Sequence, residues 1–102
     1  MKTEANVLRS ITKWLDTQDC EYYKVHGSLF QRSGEPDLTG SIEYKNKIVH
    51  FKFEVKSVIG KVSRVQEERM KAWSKYDILV GVVRSVGDVI SLLDGWVEND
   101  KK

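Results

Sequence analysis

Residues 49–56, VHFKFEVK, carry the clearest structural pattern in the sequence. Apolar side chains at 49, 51, 53 and 55 alternate with polar side chains at 50, 52, 54 and 56. Because successive side chains of a strand point to opposite faces of its sheet, the alternation predicts a strand with one buried and one polar face. We predict a partner strand over residues 38–44, joined to it by a tight turn at Lys45-Asn46.

The two-residue turn also fixes which residues face each other across this hairpin. It sets Ile42 opposite Val49, so that apolar pairs share one face. The same register places Asp37 beside Glu54 on the polar face, with Cβ atoms about 5 Å apart. Two carboxylates at that distance repel by roughly 3 kcal/mol at an effective dielectric constant of about 20. A stable protein tolerates this only with a compensating cation or a shared proton.

Two further charged residues are expected near this carboxylate pair. Lys56 follows Glu54 by two residues and projects from the same strand face. Two acids and a lysine are the side chains that a divalent-metal phosphodiester site requires. Glu4 precedes Val7 and Ile11 by three and seven residues, so we expect it on their apolar helix face. A carboxylate on such a face is costly unless it is paired or binds a metal.

Apolar spacing predicts a helix at the start of the chain, with residues 7, 8, 11, 14 and 15 on its inner face. Residues 21–26 have the Tyr and Val content of a strand. Residues 26–36 hold two glycines and the only proline, which predicts a loop.

The second half of the chain continues the alternation of helix and strand. Ser63 is predicted to begin a helix with Gln66 in its first turn, and residues 77–83 read as a strand buried on both faces. A last helix should begin after Ser85 and end at Gly95. The predicted fold class is α/β, with the order α-β-β-β-α-β-α and one mixed sheet flanked by helices.

Length and charge limit the remaining possibilities. The 102 residues are 40% apolar and fit one domain over residues 1–102, and 17 basic against 15 acidic residues leave a net charge of only +2. Residues 45–64 nevertheless hold six basic residues and one acid. The single cysteine, Cys20, excludes an internal disulfide. With no signal peptide and no apolar run of about 20 residues, we expect a cytoplasmic protein and no membrane partner.

Four motifs follow one another along the chain: GEPDL at residues 34–38, FEVK at 53–56, GKVSRVQ at 60–66 and GVVRSV at 81–86. In these motifs the sequence resembles the virus-type replication-repair nuclease (VRR-Nuc) family of the PD-(D/E)XK superfamily. The resemblance extends from Glu4 to about Leu93. It implies a restriction-endonuclease-like core and a metal-dependent endonuclease that acts on DNA.

The resemblance also implies roles for individual residues. Asp37 and Glu54 would hold Mg²⁺ (or Mn²⁺) together with the carbonyl of Val55, and Glu4 matches the acid of the first helix in the family. Lys56 would orient the attacking water and stabilise the transition state.

Gln66 matches the family's helix glutamine near the lysine and water, which completes a candidate catalytic set with Asp37, Glu54 and Lys56. Glu35 departs from the family, where its position is often apolar, so that it either tunes the metal site or faces solvent. Candidate DNA-binding residues follow from the basic stretch, the loop before Asp37 and the start of the second helix. They are Arg32, Lys52, Lys61, Ser63 and Arg64.

Each candidate has a structural interpretation as well. Asp37 follows a proline and is a typical turn residue, and Glu54 with Lys56 is also typical of a solvated strand face. Glu4 is favoured in a first helical turn by the helix dipole. Gln66 has capping-box spacing from Ser63, and this role is compatible with a role at the site.

The resemblance favours one substrate over others. Stand-alone members of about this length resemble homodimers that cut four-way (Holliday) junctions, and two symmetric cuts suit a two-fold dimer. Other hypotheses are a nuclease acting on flaps, nicks or plain duplex, a DNA-binding module without turnover, and a purely structural α/β domain. The resemblance also suggests a phage or prophage source, hence a bacterial or phage-infected host cell.

Overall fold

The structure is a computed structural model that describes residues 2–25 and 33–99. Its elements follow the predicted order of helices and strands. They are α1 (Glu4–Leu15), β1 (Cys20–Lys24), β2 (Leu38–Tyr44), β3 (Lys47–Val55), α2 (Arg64–Trp73), β4 (Leu79–Val83) and α3 (Val86–Asn99).

The four strands form one mixed sheet in the order β1-β2-β3-β4. β2 is antiparallel to both β1 and β3, whereas β3 and β4 are parallel. Ile42 lies opposite Val49, as predicted, so the hairpin register is confirmed. The turn residues Lys45 and Asn46 have φ angles of 49° and 68°, which is the backbone of a type I′ turn. This local geometry fixes the position of every side chain on β3.

Helices cover both faces of the sheet, which makes three layers. On one face, α1 and α3 pack against the apolar side of β3, where the rings of Phe51 and Phe53 stack with centroids 4.7 Å apart. The opposite face carries Lys52 and Glu54 and lies against α2. The buried core consists of Val7, Ile11, Leu15, Leu38, Ile42, Val49, Phe51, Phe53, Val55, Leu79, Val83, Val89, Leu93 and Val97.

Helix α2 buries none of its residues, so apolar packing contributes little to its position. Its start is fixed by a capping box, in which Ser63 Oγ accepts from the backbone N–H of Gln66 and Gln66 Oε1 accepts from that of Ser63. The helix packs against the loop that precedes β2, and this close packing depends on Gly34 in that loop, which has a φ angle of 82°. A Cβ atom at Gly34 would lie 2.9 Å from the backbone carbonyl carbon of Val65.

Three boundary predictions were wrong. β1 ends at Lys24, before the predicted limit of 26. α3 continues through Gly95 to Asn99, because its buried stripe extends to Val97 and outweighs the low helix propensity of one glycine. β4 begins at Leu79, and its middle residues are only partly buried because it is an edge strand of the sheet among the described residues.

Of the helices in the described part of the chain, none combines the length and the apolar content needed to span a bilayer.

Candidate active site

Asp37 joins the strands on either side of it. Its carbonyl accepts a hydrogen bond from the N–H of Val25 at 2.7 Å, and its Oδ2 accepts one from the N–H of Val55 at 2.8 Å. Since the N–H and C=O of a strand residue point to the same neighbouring strand in an antiparallel pair, the Val55 carbonyl also faces the Asp37 side. The predicted metal-binding atoms of Asp37 and Val55 therefore lie on one side of β3.

Glu54 is a buried acid at the centre of the candidate site, with 1% of its surface exposed. Its Oε2 accepts a hydrogen bond from Gln66 Nε2 at 2.9 Å and lies 3.6 Å from Lys56 Nζ. Its other oxygen, Oε1, is buried without a hydrogen-bond partner. Because desolvating an unpaired carboxylate oxygen is costly, this atom is a position where a bound cation would be favourable.

The environment of Glu54 favours its neutral form. Burial, followed by the adjacent Asp37 carboxylate, raises the pKa of Glu54 from 4.5 to about 8, and Lys56 acts in the opposite direction. The repulsion that the hairpin register predicts is thus present. A strongly raised pKa in a group with a specific charged neighbour is typical of functional sites.

Lys56 lies between two acids and has only 13% of its side chain exposed. Its Nζ is 3.6 Å from Glu54 Oε2 and 3.9 Å from Glu4 Oε1. The Glu4 side chain is 54% exposed, so the expectation of a buried carboxylate on the apolar face of α1 was wrong. Glu4 is the first residue of the helix, before the core begins at Val7, and there its carboxylate reaches solvent and Lys56.

Gln66 caps α2 and also contacts the candidate site, where its partner is Glu54. The same side chain accepts from Ser63 N–H through Oε1 and donates to Glu54 through Nε2. Capping fixes the amide, which therefore presents its N–H donor to the carboxylate. Helix α2 thereby positions one hydrogen-bond donor at the site.

The two carboxylates offer a divalent cation a partial set of ligands. No group of three or more His, Cys, Asp or Glu side chains arranged as metal ligands occurs among residues 2–25 and 33–99. The acids of Asp37 and Glu54 adjoin each other, whereas Glu4 is directed to Lys56. Carboxylate and carbonyl oxygens suit Mg²⁺ and Mn²⁺, and Mg²⁺ commonly binds one or two carboxylates and keeps several waters. With Oε1 of Glu54 unpartnered, these residues fit such an ion.

Glu35 lies against α2, which matches neither of its two sequence interpretations. Its Oε2 accepts a hydrogen bond from the indole N–H of Trp73 at 3.0 Å, and its Oε1 is 3.8 Å from Nε of Arg69. Lys52 reaches the other side of the same indole, with Nζ 4.2 Å from the ring centroid. These charged and aromatic contacts hold the C-terminal half of α2 to the sheet. No local sequence signal connects the two segments.

The candidate DNA-binding residues differ in their solvent exposure and in the hydrogen bonds that their polar groups already make. Lys61 is exposed and Arg64 has 90% of its side chain exposed, beside Glu68. Ser63 caps α2, and Lys52 bonds Thr39 Oγ1 at 3.1 Å beneath Trp73. Arg32 lies outside the described residues.

Arg84 is a residue near the site to which the sequence analysis gave no role. Its Nη1 donates to the backbone carbonyls of Ser57 and Gly60, in the segment that follows Lys56. The parallel pairing of Val55 with Val83 places Arg84 beside that segment. A βαβ interpretation of β3, α2 and β4 would have indicated this proximity.

The comparisons with known proteins concern the fold. No family model matches the sequence, and no curated protein matches it either. A solved structure described as "VRR_NUC domain protein" superposes with a TM-score of 0.70 over 95% of this chain and 89% of that chain, at 18% identity. The protein therefore shares the α/β fold of this neighbour, and the predicted fold class, one mixed sheet flanked by helices in the order α-β-β-β-α-β-α, is confirmed. More specifically, its fold is that of a VRR-Nuc domain.

Proposed function

We propose that the protein is a divalent-metal-dependent endonuclease that hydrolyses phosphodiester bonds in DNA. The observation that carries the proposal is the buried Glu54 carboxylate, which has one unpartnered oxygen and adjoins Asp37 in a VRR-Nuc fold. A structural domain without a ligand would gain nothing from keeping two acids together at this cost. The non-catalytic alternative is less favoured because Asp37, Glu54 and Lys56 are all present.

The chain supplies the groups that such a reaction needs. Asp37, Glu54 and the Val55 carbonyl would hold Mg²⁺ or Mn²⁺, which when bound polarises the phosphate and lowers the pKa of a coordinated water. Lys56 offers an ammonium group that can orient the attacking water and stabilise the negative charge of the transition state. Gln66 holds Glu54 in place through Nε2 and keeps its Oε2 occupied, which leaves Oε1 for the cation.

The direct test is cleavage of labelled DNA by wild type, Glu54→Gln and Lys56→Met, with Mg²⁺ and with EDTA. We expect cleavage by wild type with Mg²⁺ only, and a loss on the order of 10²-fold or more in each variant. Glu98→Gln is the matched control, since Glu98 is an exposed acid near Lys45 at the far end of the β2–β3 hairpin. DNA binding without cleavage under every metal tried would instead favour a binding module.

We further propose that the substrate is branched DNA, a four-way junction cut by a homodimer. One chain carries one set of Asp37, Glu54 and Lys56, and two symmetric cuts require two such sets related by a two-fold axis. Two points support this proposal. Stand-alone VRR-Nuc members of about this length resemble homodimers that cut four-way junctions, and this chain has the VRR-Nuc fold. The proposed setting is the cytoplasm of a bacterial or phage-infected cell.

A panel of substrates separates this proposal from its alternatives. A four-way junction, a flap, a nicked duplex and a linear duplex of shared sequence are incubated with wild type, and the products are mapped. Paired symmetric cuts in the junction, with a dimer in sedimentation, support the resolvase. Faster cleavage of flaps or linear duplex, or a monomer at micromolar concentration, would contradict it.

A further inference from the structure

Two apolar side chains project from the protein directly after the candidate active site. Val58 and Ile59 are 68% and 69% exposed, and they are the central residues of a turn in which the Gly60 N–H bonds the Ser57 carbonyl at 3.1 Å. We call these two residues the Val58–Ile59 tip. The turn begins immediately after Lys56, so the tip is joined to the site by the backbone itself.

The composition of this turn is not the one that a turn favours. Gly, Pro, Asn, Asp and Ser dominate turns because they suit the backbone or bond to it, whereas Val and Ile are β-branched and suit strands. The exposed apolar surface contributes nothing to the core of the protein. A residue choice that contradicts local structure and gains no burial indicates a function.

Arg84 holds the tip in a defined position. Its Nη1 donates to the carbonyls of Ser57, Val58 and Gly60, the last at 2.7 Å. The segment is also tied to β4, because the N–H of Lys56 bonds the Val83 carbonyl at 3.0 Å. A backbone fixed by a guanidinium group loses little conformational entropy on binding, so the tip is preorganised.

The charges around the tip are those of a surface that binds a phosphate backbone. The exposed residues Lys61 and Arg64 follow it, and Arg64 Nε lies 3.5 Å from Glu68 Oε1. Lys56, which precedes it, is largely buried beside Glu54 and Glu4. An apolar wedge followed by exposed cations fits one arrangement in nucleic acid, in which phosphates lie beside a base stack and apolar side chains enter between bases.

We propose that the Val58–Ile59 tip inserts into the base stack of DNA next to the phosphate that would bind the metal held by Asp37 and Glu54. Unstacking a regular duplex is costly, and the cost is lower where stacking is already interrupted. The tip therefore gives the site its preference for branched or distorted DNA. This inference rests on the proposed function, to which it adds the element that selects the substrate.

The test uses a Val58→Ser/Ile59→Ser double variant, in which serine suits a turn and no buried contact is lost. Ile48→Ser is the matched control, since Ile48 is 64% exposed near the other end of β3. The probe is a synthetic four-way junction with 2-aminopurine at the branch, beside a linear duplex of the same sequence. Binding is measured with Ca²⁺ in place of Mg²⁺ to prevent cleavage.

We expect wild type and Ile48→Ser to increase 2-aminopurine fluorescence on binding the junction, and the double variant to lose this increase. The affinity of the double variant for the junction should fall on the order of tenfold, from the loss of apolar burial. Its affinity for the linear duplex and its salt dependence should change little, because phosphate contacts remain.

Unchanged fluorescence and junction affinity in the double variant would overturn the wedge and leave the nuclease proposal intact. The wedge would also be overturned if the wild type is a dimer and the double variant is a monomer, since the tip would then be a contact between two copies of the chain. If the wild-type protein binds neither the four-way junction nor the linear duplex, both proposals are overturned.

Discussion

Asp37 Oδ2 accepts a hydrogen bond from the backbone N–H of Val55 at 2.8 Å, so a side chain at the start of one strand replaces a ladder contact at the end of the next. This bond fixes the carboxylate beside Glu54, at the point where β3 leaves the sheet and Lys56 begins the loop. The antiparallel register of β2 and β3 thereby becomes the geometry of the candidate site.

The stability of the metal-free protein should decrease as pH rises. The pKa of Glu54 is raised from 4.5 to about 8, so between these values the folded state retains a proton that the unfolded chain has released. The free energy of unfolding should therefore fall from about pH 4.5 to about pH 8. Asp37 and Glu4 strengthen this effect, and Lys56 weakens it.

Urea unfolding in EDTA at several pH values measures this decrease. Glu54→Gln should abolish most of it and be more stable than wild type at pH 8, by roughly 1–4 kcal/mol. Glu98→Gln should keep the wild-type profile. A stability that is flat in wild type between pH 5 and 8 would show that Glu54 is not buried as described.

Gln66 should matter to the site beyond its capping role. Gln66→Glu keeps an acceptor for the Ser63 N–H but replaces the donor to Glu54 with a third carboxylate, so cleavage should fall about 10–100-fold. Ser63→Ala removes only the cap acceptor. It should lower stability by about 1 kcal/mol and reduce cleavage less than Gln66→Glu does. Equal losses of activity in the two variants would mean that Gln66 acts only through the helix cap.

Glu35 should stabilise the protein without contributing to metal binding. Glu35→Ala removes the acceptor of the Trp73 indole N–H and the partner of Arg69, and should cost about 1–3 kcal/mol in urea unfolding. Mn²⁺ affinity by calorimetry should change little, because Glu35 is directed to α2. Glu67→Ala, at an exposed acid of the same helix, is the control. Lost Mn²⁺ affinity with unchanged stability would place Glu35 at the metal.

Gly34 should be the position where an added methyl group disturbs the site from a distance. Its φ of 82° and its approach to the backbone of Val65 mean that Gly34→Ala must strain the loop or displace α2, which carries Gln66. We expect a loss of more than about 1 kcal/mol of stability and slower cleavage.

Gly95→Ala is the control for this substitution. Gly95 lies within α3 with open space around it, so alanine there should stabilise the protein by about 1 kcal/mol. Thermal unfolding of both variants checks the pair. Equal stability of Gly34→Ala and wild type would show that α2 docks without the close approach.

The residue alternation in β3 and the turn at Lys45-Asn46 were sufficient to predict the hairpin and the proximity of Asp37 and Glu54. Both depend on strand periodicity and a two-residue connection. These are local features, so they can be recognised from the sequence alone. The spacing of Ser63 and Gln66 is equally local. The exposure of Glu4 was mispredicted because a helical stripe does not reveal where the core beneath it ends.

The order of the elements, the hairpin register, the capping box and the pairing of two acids could all be predicted from the sequence, since each follows from neighbours in the chain. The remaining contacts join segments far apart in sequence and could be identified only in the folded structure. These contacts bring Trp73 to Glu35, Arg84 to the turn after Lys56, and Gln66 to Glu54. They form because burial of Leu79 and Val83 in the core places β4 beside β3. Helix α2 buries none of its residues and is held by hydrogen bonds and charged contacts such as these.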